Sequence, residues 1–137
     1  MNDYKYILIP SIVWLGVQIF KVLYMYYETK KWDWSRLFGN GGMPSAHSAV
    51  VTCLATMIGK GEGITTPEFA ISLFLSLIVM NDAAGLRKNV GKQAKVLNTI
   101  ITDNDKTGAE KLQEMTGHTL IQVLVGATIG IIIGLIF

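Results

Sequence analysis

Cysteine is all but missing from this chain: Cys53 stands alone among 137 residues, so no intrachain disulfide can form. Charge is scarce as well. Only 16% of the residues are charged while 50% are apolar, a balance that excludes an ordinary soluble domain and points to a small polytopic membrane protein. Histidine occurs twice, and nowhere do histidine, cysteine and carboxylates stand at metal-ligand spacing, so neither a metal nor another cofactor is expected. The formal net charge is +2, and no nucleic-acid partner is expected. No small-residue cleavage site follows the first apolar run, which therefore reads as a retained membrane helix rather than a signal peptide.

What is present are four apolar stretches, at residues 6–27, 46–58, 69–84 and 119–137. A helix needs about 20 residues to cross the hydrocarbon core. The first stretch is long enough; the others are short or borderline, which implies tilt, a thinned bilayer or a buried position in the bundle. The first ends in aromatic residues, Tyr24, Tyr26, Tyr27, Trp32 and Trp34, as helices do at a membrane interface. Residues 87–115 are polar and lysine-rich, with Gln93, Val96, Leu97, Ile100 and Ile101 at helical spacing, the pattern of an amphipathic helix on the membrane surface. A turn is expected at 102–110. The expected fold is an all-α membrane bundle of about four membrane helices plus this surface helix, in a single domain over 1–137.

Basic residues set the topology. If all four stretches cross, one side carries Lys30, Lys31, Arg36, Arg87, Lys88, Lys92, Lys95, Lys106 and Lys111, and the other only Lys5 and Lys60. The positive-inside rule makes the basic side cytoplasmic in a multi-pass protein of the cell membrane. His47 opens the second stretch, Arg87 follows the third and His118 opens the fourth, so all three meet at that face. Pro44 and Ser45 read as a helix start with Ser45 as its cap, and Thr116-Gly117 precede His118 in the same way, which puts each histidine in a first helical turn.

Such a position has chemical consequences. A helix N-terminus offers free N–H groups and partial positive charge, attracting an anion and favouring a neutral imidazole. Arg87 supplies a planar fork for phosphate oxygens, and Lys21 places a cation well inside the first membrane helix, on the same face as Gln18 and Trp14. Together these residues suit a phosphate.

The segments "GGMPSAHSA", "NDAAGLRKNVGKQAKVLN" and "GHTLIQVLVGA", with "QIFKV" upstream, resemble the divergent branch of the type 2 phosphatidic acid phosphatase and vanadium haloperoxidase superfamily over nearly the whole chain. The resemblance implies an all-helical, metal-free phosphatase working through a phosphohistidine. It makes His118 the nucleophile, His47 the general acid and then base, and Ser45, Arg87 and Lys21 the phosphate ligands. Several motif positions differ: Ala46 stands for a glycine, Leu112 for an arginine, Glu28 for another arginine, and Gln122 for the aspartate that orients the nucleophilic ring. Arg87 is a candidate to replace a missing arginine from another helix. Gln122 can accept the imidazole N–H through its amide oxygen, and Asp82 is the other candidate for that orienting role.

A site at the cytoplasmic interface suits a phosphomonoester or diphosphate on a lipid headgroup, its tail remaining among the helices. The rival readings are an anion or metal pathway and a catalytically degenerate assembly protein. The ladder Gly126, Gly130, Gly134 in the last helix allows close backbone approach, either within the chain or across a homodimer.

Overall fold

A computed structural model describes residues 4–32, 34, 42–103, 112 and 118–137, and of Arg87 only the backbone. It is all-helical, as expected. The helices are α1 (Lys5–Thr29), α2 (Ala46–Gly61), α3 (Pro67–Ala84), α4 (Leu86–Asp103) and α5 (Leu120–Ile136). α1, α2, α3 and α5 fall on the four apolar stretches, and α4 on the amphipathic one. The turn expected at 102–110 lies, beyond Asp103, outside the described residues.

The chain ends its helices where local chemistry says it should. Thr66 caps α3 by accepting the Phe69 N–H at 3.3 Å, with Pro67 at the first helical position, where its missing N–H costs nothing. α4 follows α3 with only Gly85 between them. It turns Gly91, Ala94 and Asn98 inward and leaves Val96, Leu97 and Ile100 exposed, so its apolar stripe is offered to the surroundings. Asn98 also grips the chain further on: its side chain donates to the Leu112 carbonyl and accepts the Leu112 N–H, both at 2.8 Å.

α2 is the hub. Of the described helices it alone packs against α1, α3 and α5. Its 16 residues give a length of about 24 Å at 1.5 Å per residue, short of a hydrocarbon core of about 30 Å. That shortness is resolved by position: α2 is enclosed, and Ala46, Ser48, Ala49, Thr52, Cys53, Ala55 and Met57 are all buried. α1 and α3 run antiparallel to it and α5 runs parallel. The glycine ladder is spent on the α2–α5 contact. A methyl group at Gly126 would overlap the Ser45 carbonyl, one at Gly130 the Ala49 carbonyl and Thr52 hydroxyl, and one at Gly134 would stand 2.8 Å from the Cys53 carbonyl. The Thr52 hydroxyl then donates across the interface to Ala127 at 3.1 Å.

The bundle is apolar outside and small or polar within. Ser72, Ser76 and Ala83 are the buried residues of α3, whereas Ile71, Phe74 and Ile78 stand on its exposed face. Ser76 donates to the Val51 carbonyl of α2 at 2.9 Å. Water would penalise such a surface; hydrocarbon does not, and there close approach of small residues and interhelical hydrogen bonds hold helices together. At the end where α1 begins, Tyr6 donates to Glu62 at 2.7 Å and Lys60 to the Leu135 carbonyl at 2.8 Å, tying α1 and α5 to the last turn of α2.

Candidate active site

The opposite end gathers the polar residues singled out in the sequence. Gly42, with φ +79°, makes the left-handed turn that leads through Met43 and Pro44 into α2. Ser45 caps that helix from an extended conformation. Its hydroxyl oxygen accepts the Ser48 N–H at 3.3 Å and the Ser48 hydroxyl at 3.0 Å, and the whole residue is buried. His47, the second residue of α2, is half-buried in the first turn as expected.

His118 departs from expectation. It lies outside α5, because the cap is Thr119 rather than Thr116 or Gly117, which lie outside the described residues. Thr119 and Gln122 form a reciprocal capping box: the Gln122 N–H donates to the Thr119 hydroxyl at 3.3 Å, and the Thr119 N–H to the Gln122 side chain at 2.9 Å. The Thr-x-x-Gln spacing was the signal for it. His118 is thereby free to use its backbone N–H elsewhere, and donates to the Ala83 carbonyl near the end of α3 at 3.1 Å. The Ser45 N–H donates in turn to the Gln122 carbonyl at 3.1 Å, so the ends of α2, α3 and α5 are laced by backbone bonds.

This lacing brings His47 and His118 together, with ring centroids 6.3 Å apart and ring planes 64° from parallel. The His118 residue is 1% exposed. Burial, then the positive charge of Lys21, then His47 hold its imidazole below the ordinary value of 6.5; the Gln122 side chain and the Gly42 carbonyl act in the opposite direction. Neither approach completes a well-formed hydrogen bond, so both ring nitrogens are buried without a bonding partner among the described residues. A buried polar atom left unpaired costs about 1–3 kcal/mol.

Lys21 is buried in α1, and its positive charge acts on the His118 ring. Of the two candidate orienting residues, Gln122 acts on the ring. Asp82 is half-buried one position before Ala83, whose carbonyl takes the His118 N–H. Ser45 is at the site, but its hydroxyl oxygen serves the helix cap. Arg87 is the second residue of α4, and its side chain lies outside the described residues. The Gly42 carbonyl and the Ala83 carbonyl are site groups that sequence reasoning missed, since backbone atoms leave no residue-type signature.

Fold and site thus define an all-helical membrane protein that gathers a buried histidine, a half-buried histidine and a buried lysine at one end of its bundle. The helical hub and the cluster occur in a chain of definite ancestry. It belongs to the Divergent PAP2 family, whose model matches residues 2–133, a family related to phosphatases. The chain is 35% identical over 133 residues to the "Uncharacterized membrane protein YuiD" of Bacillus subtilis (strain 168), a match covering 87% of this chain and 84% of that protein. No solved structure matches it.

Proposed function

We propose that the protein is an integral-membrane lipid phosphate phosphatase, hydrolysing a phosphomonoester or diphosphate headgroup through a phosphohistidine on His118. The observation that carries this reading is the meeting of His47, in the first turn of α2, and His118, just ahead of the α5 cap, with ring centroids 6.3 Å apart and the buried Lys21 acting on the His118 ring. A nucleophilic imidazole must be unprotonated, and the depressed His118 value supplies that form at neutral pH.

In the first step a His118 ring nitrogen bonds to the terminal phosphorus, the bond from that phosphorus to the leaving oxygen (the lipid alkoxide of a monoester or the bridging oxygen of a diphosphate) breaks, and His47 gives its proton to the departing oxygen. In the second, His47 takes a proton from water, the new oxygen bonds to phosphorus, and His118 leaves with its nitrogen lone pair restored. Lys21, with Arg87, balances charge on the equatorial oxygens, a contribution that phosphoryl transfer rewards strongly. Gln122 orients the ring, and Ser45 shapes the site through its cap. Hydrolysis by these residues requires no metal. The excess of lysine in the segments after the first and third stretches supports a multi-pass topology with the site at the cytoplasmic face.

A catalytically degenerate binding or assembly protein is the second reading, favoured by Gln122 in place of an acid and by the enclosure of His118. One experiment separates the two. Purified protein in detergent is given a labelled lipid phosphate with an activated leaving group, with and without chelator, beside His118→Ala and His47→Ala. The expected result is chelator-resistant phosphate release by the wild type and acid-labile label on His118. His118→Ala should carry no label, while His47→Ala retains it without steady-state turnover. Absence of release and label across a panel of lipid phosphates would favour the degenerate reading, and label surviving in His118→Ala would reverse the histidine roles.

A further inference from the structure

α1 and α5 both pack on α2 but do not form a packed pair with each other. The gap between them is an apolar furrow. Its larger part, a cavity of about 480 Å³, is bordered by Ile9, Gly16 and Phe20 of α1, by Pro44, and by Ile129 and Phe137 of the last helix and its end. A second cavity of about 410 Å³ shares Phe20, Pro44 and Ile129 with the first, and extends it to Tyr24 and Met43. From Ile9 to Tyr24 the furrow follows α1 for about 22 Å, more than half of a hydrocarbon core of about 30 Å.

The furrow ends at the turn before α2, where Met43 and Pro44 line it four and three residues ahead of His47. In that turn the Gly42 carbonyl acts on the His118 ring. On α1, Phe20 and Tyr24 line the furrow on either side of the buried Lys21, whose charge acts on the His118 ring. One end is therefore cationic and hydrogen-bonding, and the rest is hydrocarbon-like. That is the polarity of a single amphiphile: an anionic head on a long apolar chain.

We infer that the α1–α5 furrow holds the hydrocarbon chain of a phosphate-bearing lipid whose headgroup lies at His47 and His118, an assignment of the tail site that rests on the phosphatase reading for its head end. The surrounding bilayer is as apolar as the furrow, so little affinity comes from moving the chain into it. The furrow's contribution is alignment. A chain seated along α1 fixes where the phosphate stops relative to the two imidazoles, and misplacement by about 1 Å can cost about 100-fold in rate. The enzyme should therefore select chain shape through turnover more than through binding.

Gly16 offers the test, because a side chain added there meets no protein atom within 4 Å and projects from a lining position. Gly16→Trp fills the furrow, and Ile71→Trp on the exposed face of α3 serves as the control. The readout is the ratio of kcat/KM for a long-chain phosphatidic acid to that for water-soluble para-nitrophenyl phosphate. Gly16→Trp should lower this ratio at least about 10-fold, and Ile71→Trp should leave it at the wild-type value. In parallel, phosphatidic acid bearing a diazirine at the chain end, in nanodiscs, should label peptides containing Ile9 or Phe137, and Gly16→Trp should abolish that label.

If no substrate is turned over but the label lands in the furrow and is lost in Gly16→Trp, the tail assignment stands and the phosphatase reading falls. An unchanged ratio in an active enzyme would overturn the assignment. So would label spread evenly over α3 as by annular lipid, or a dimer in nanodiscs that buries the furrow against a second copy.

Discussion

Replacing Gly130 with alanine places a methyl group on top of the Ala49 carbonyl and the Thr52 hydroxyl. The hydroxyl can rotate, at the loss of its 3.1 Å bond to Ala127; the carbonyl belongs to the α2 backbone and cannot. The helices must therefore separate. Overpacking of this kind costs about 1–3 kcal/mol and an interhelical hydrogen bond in a membrane about 0.6–1.7 kcal/mol, while alanine returns up to about 1 kcal/mol of helix propensity over glycine. The net expectation is a loss of about 2 kcal/mol. Gly16→Ala should do the reverse, because its added methyl meets nothing within 4 Å and the propensity gain of up to about 1 kcal/mol stands alone. Gly134→Ala should fall between them, its nearest obstacles being the Cys53 carbonyl and the Thr56 side chain, both at 2.8 Å. Unfolding midpoints in mixed dodecylmaltoside and dodecyl sulfate micelles, followed by circular dichroism, measure this order. Equal midpoints for Gly130→Ala and Gly16→Ala would refute the close α2–α5 packing.

Below the ordinary imidazole value of 6.5 the unfolded chain binds a proton that folded His118 resists, so stability rises with pH there. The His118 contribution should be complete above about pH 6.5 and fade as pH falls through the depressed value; His118→Gln should flatten the slope of unfolding midpoint against pH between about 5 and 8, and an unaltered slope would contradict the assignment. Gln122→Glu keeps the capping box and sets a carboxylate where the amide oxygen acts on His118, so the imidazole titration followed by NMR should move up; no rise would remove Gln122 from the ring. For sidedness, Lys60→Cys and Lys92→Cys in a Cys53→Ser background should be labelled in intact cells by an impermeant maleimide at 60 and not at 92, and the opposite pattern would put the histidines outside.

Helix positions were legible because membrane helices announce themselves by length and apolar content. The Ser45 cap and the convergence of His47 and His118 on one end followed from local chemistry and from counting crossings. The exact relation of His118 to α5 did not, since two threonines compete to start that helix and only the Thr119–Gln122 spacing completes a reciprocal box. Nor did the identity of the hub. In a bundle whose outside is as greasy as its inside, hydrophobic periodicity gives no inward direction, and it was the run of small residues in α2, matched by the glycines of α5, that chose the partner. The furrow was equally hidden, for it arises where two helices fail to meet.

The bonds of Tyr6 to Glu62 and of Lys60 to Leu135 have a mechanical meaning. At the imidazole end the backbone bonds among the described residues join α2, α3 and α5, and none includes α1. There α1 is held by its packing on α2, where Val13 and Val17 share a buried cluster with Ala46, Ala49 and Cys53. Lys21 lies about 22 Å along α1 from Tyr6, so the Tyr6–Glu62 bond at one end helps set the register in which the lysine arrives at the other.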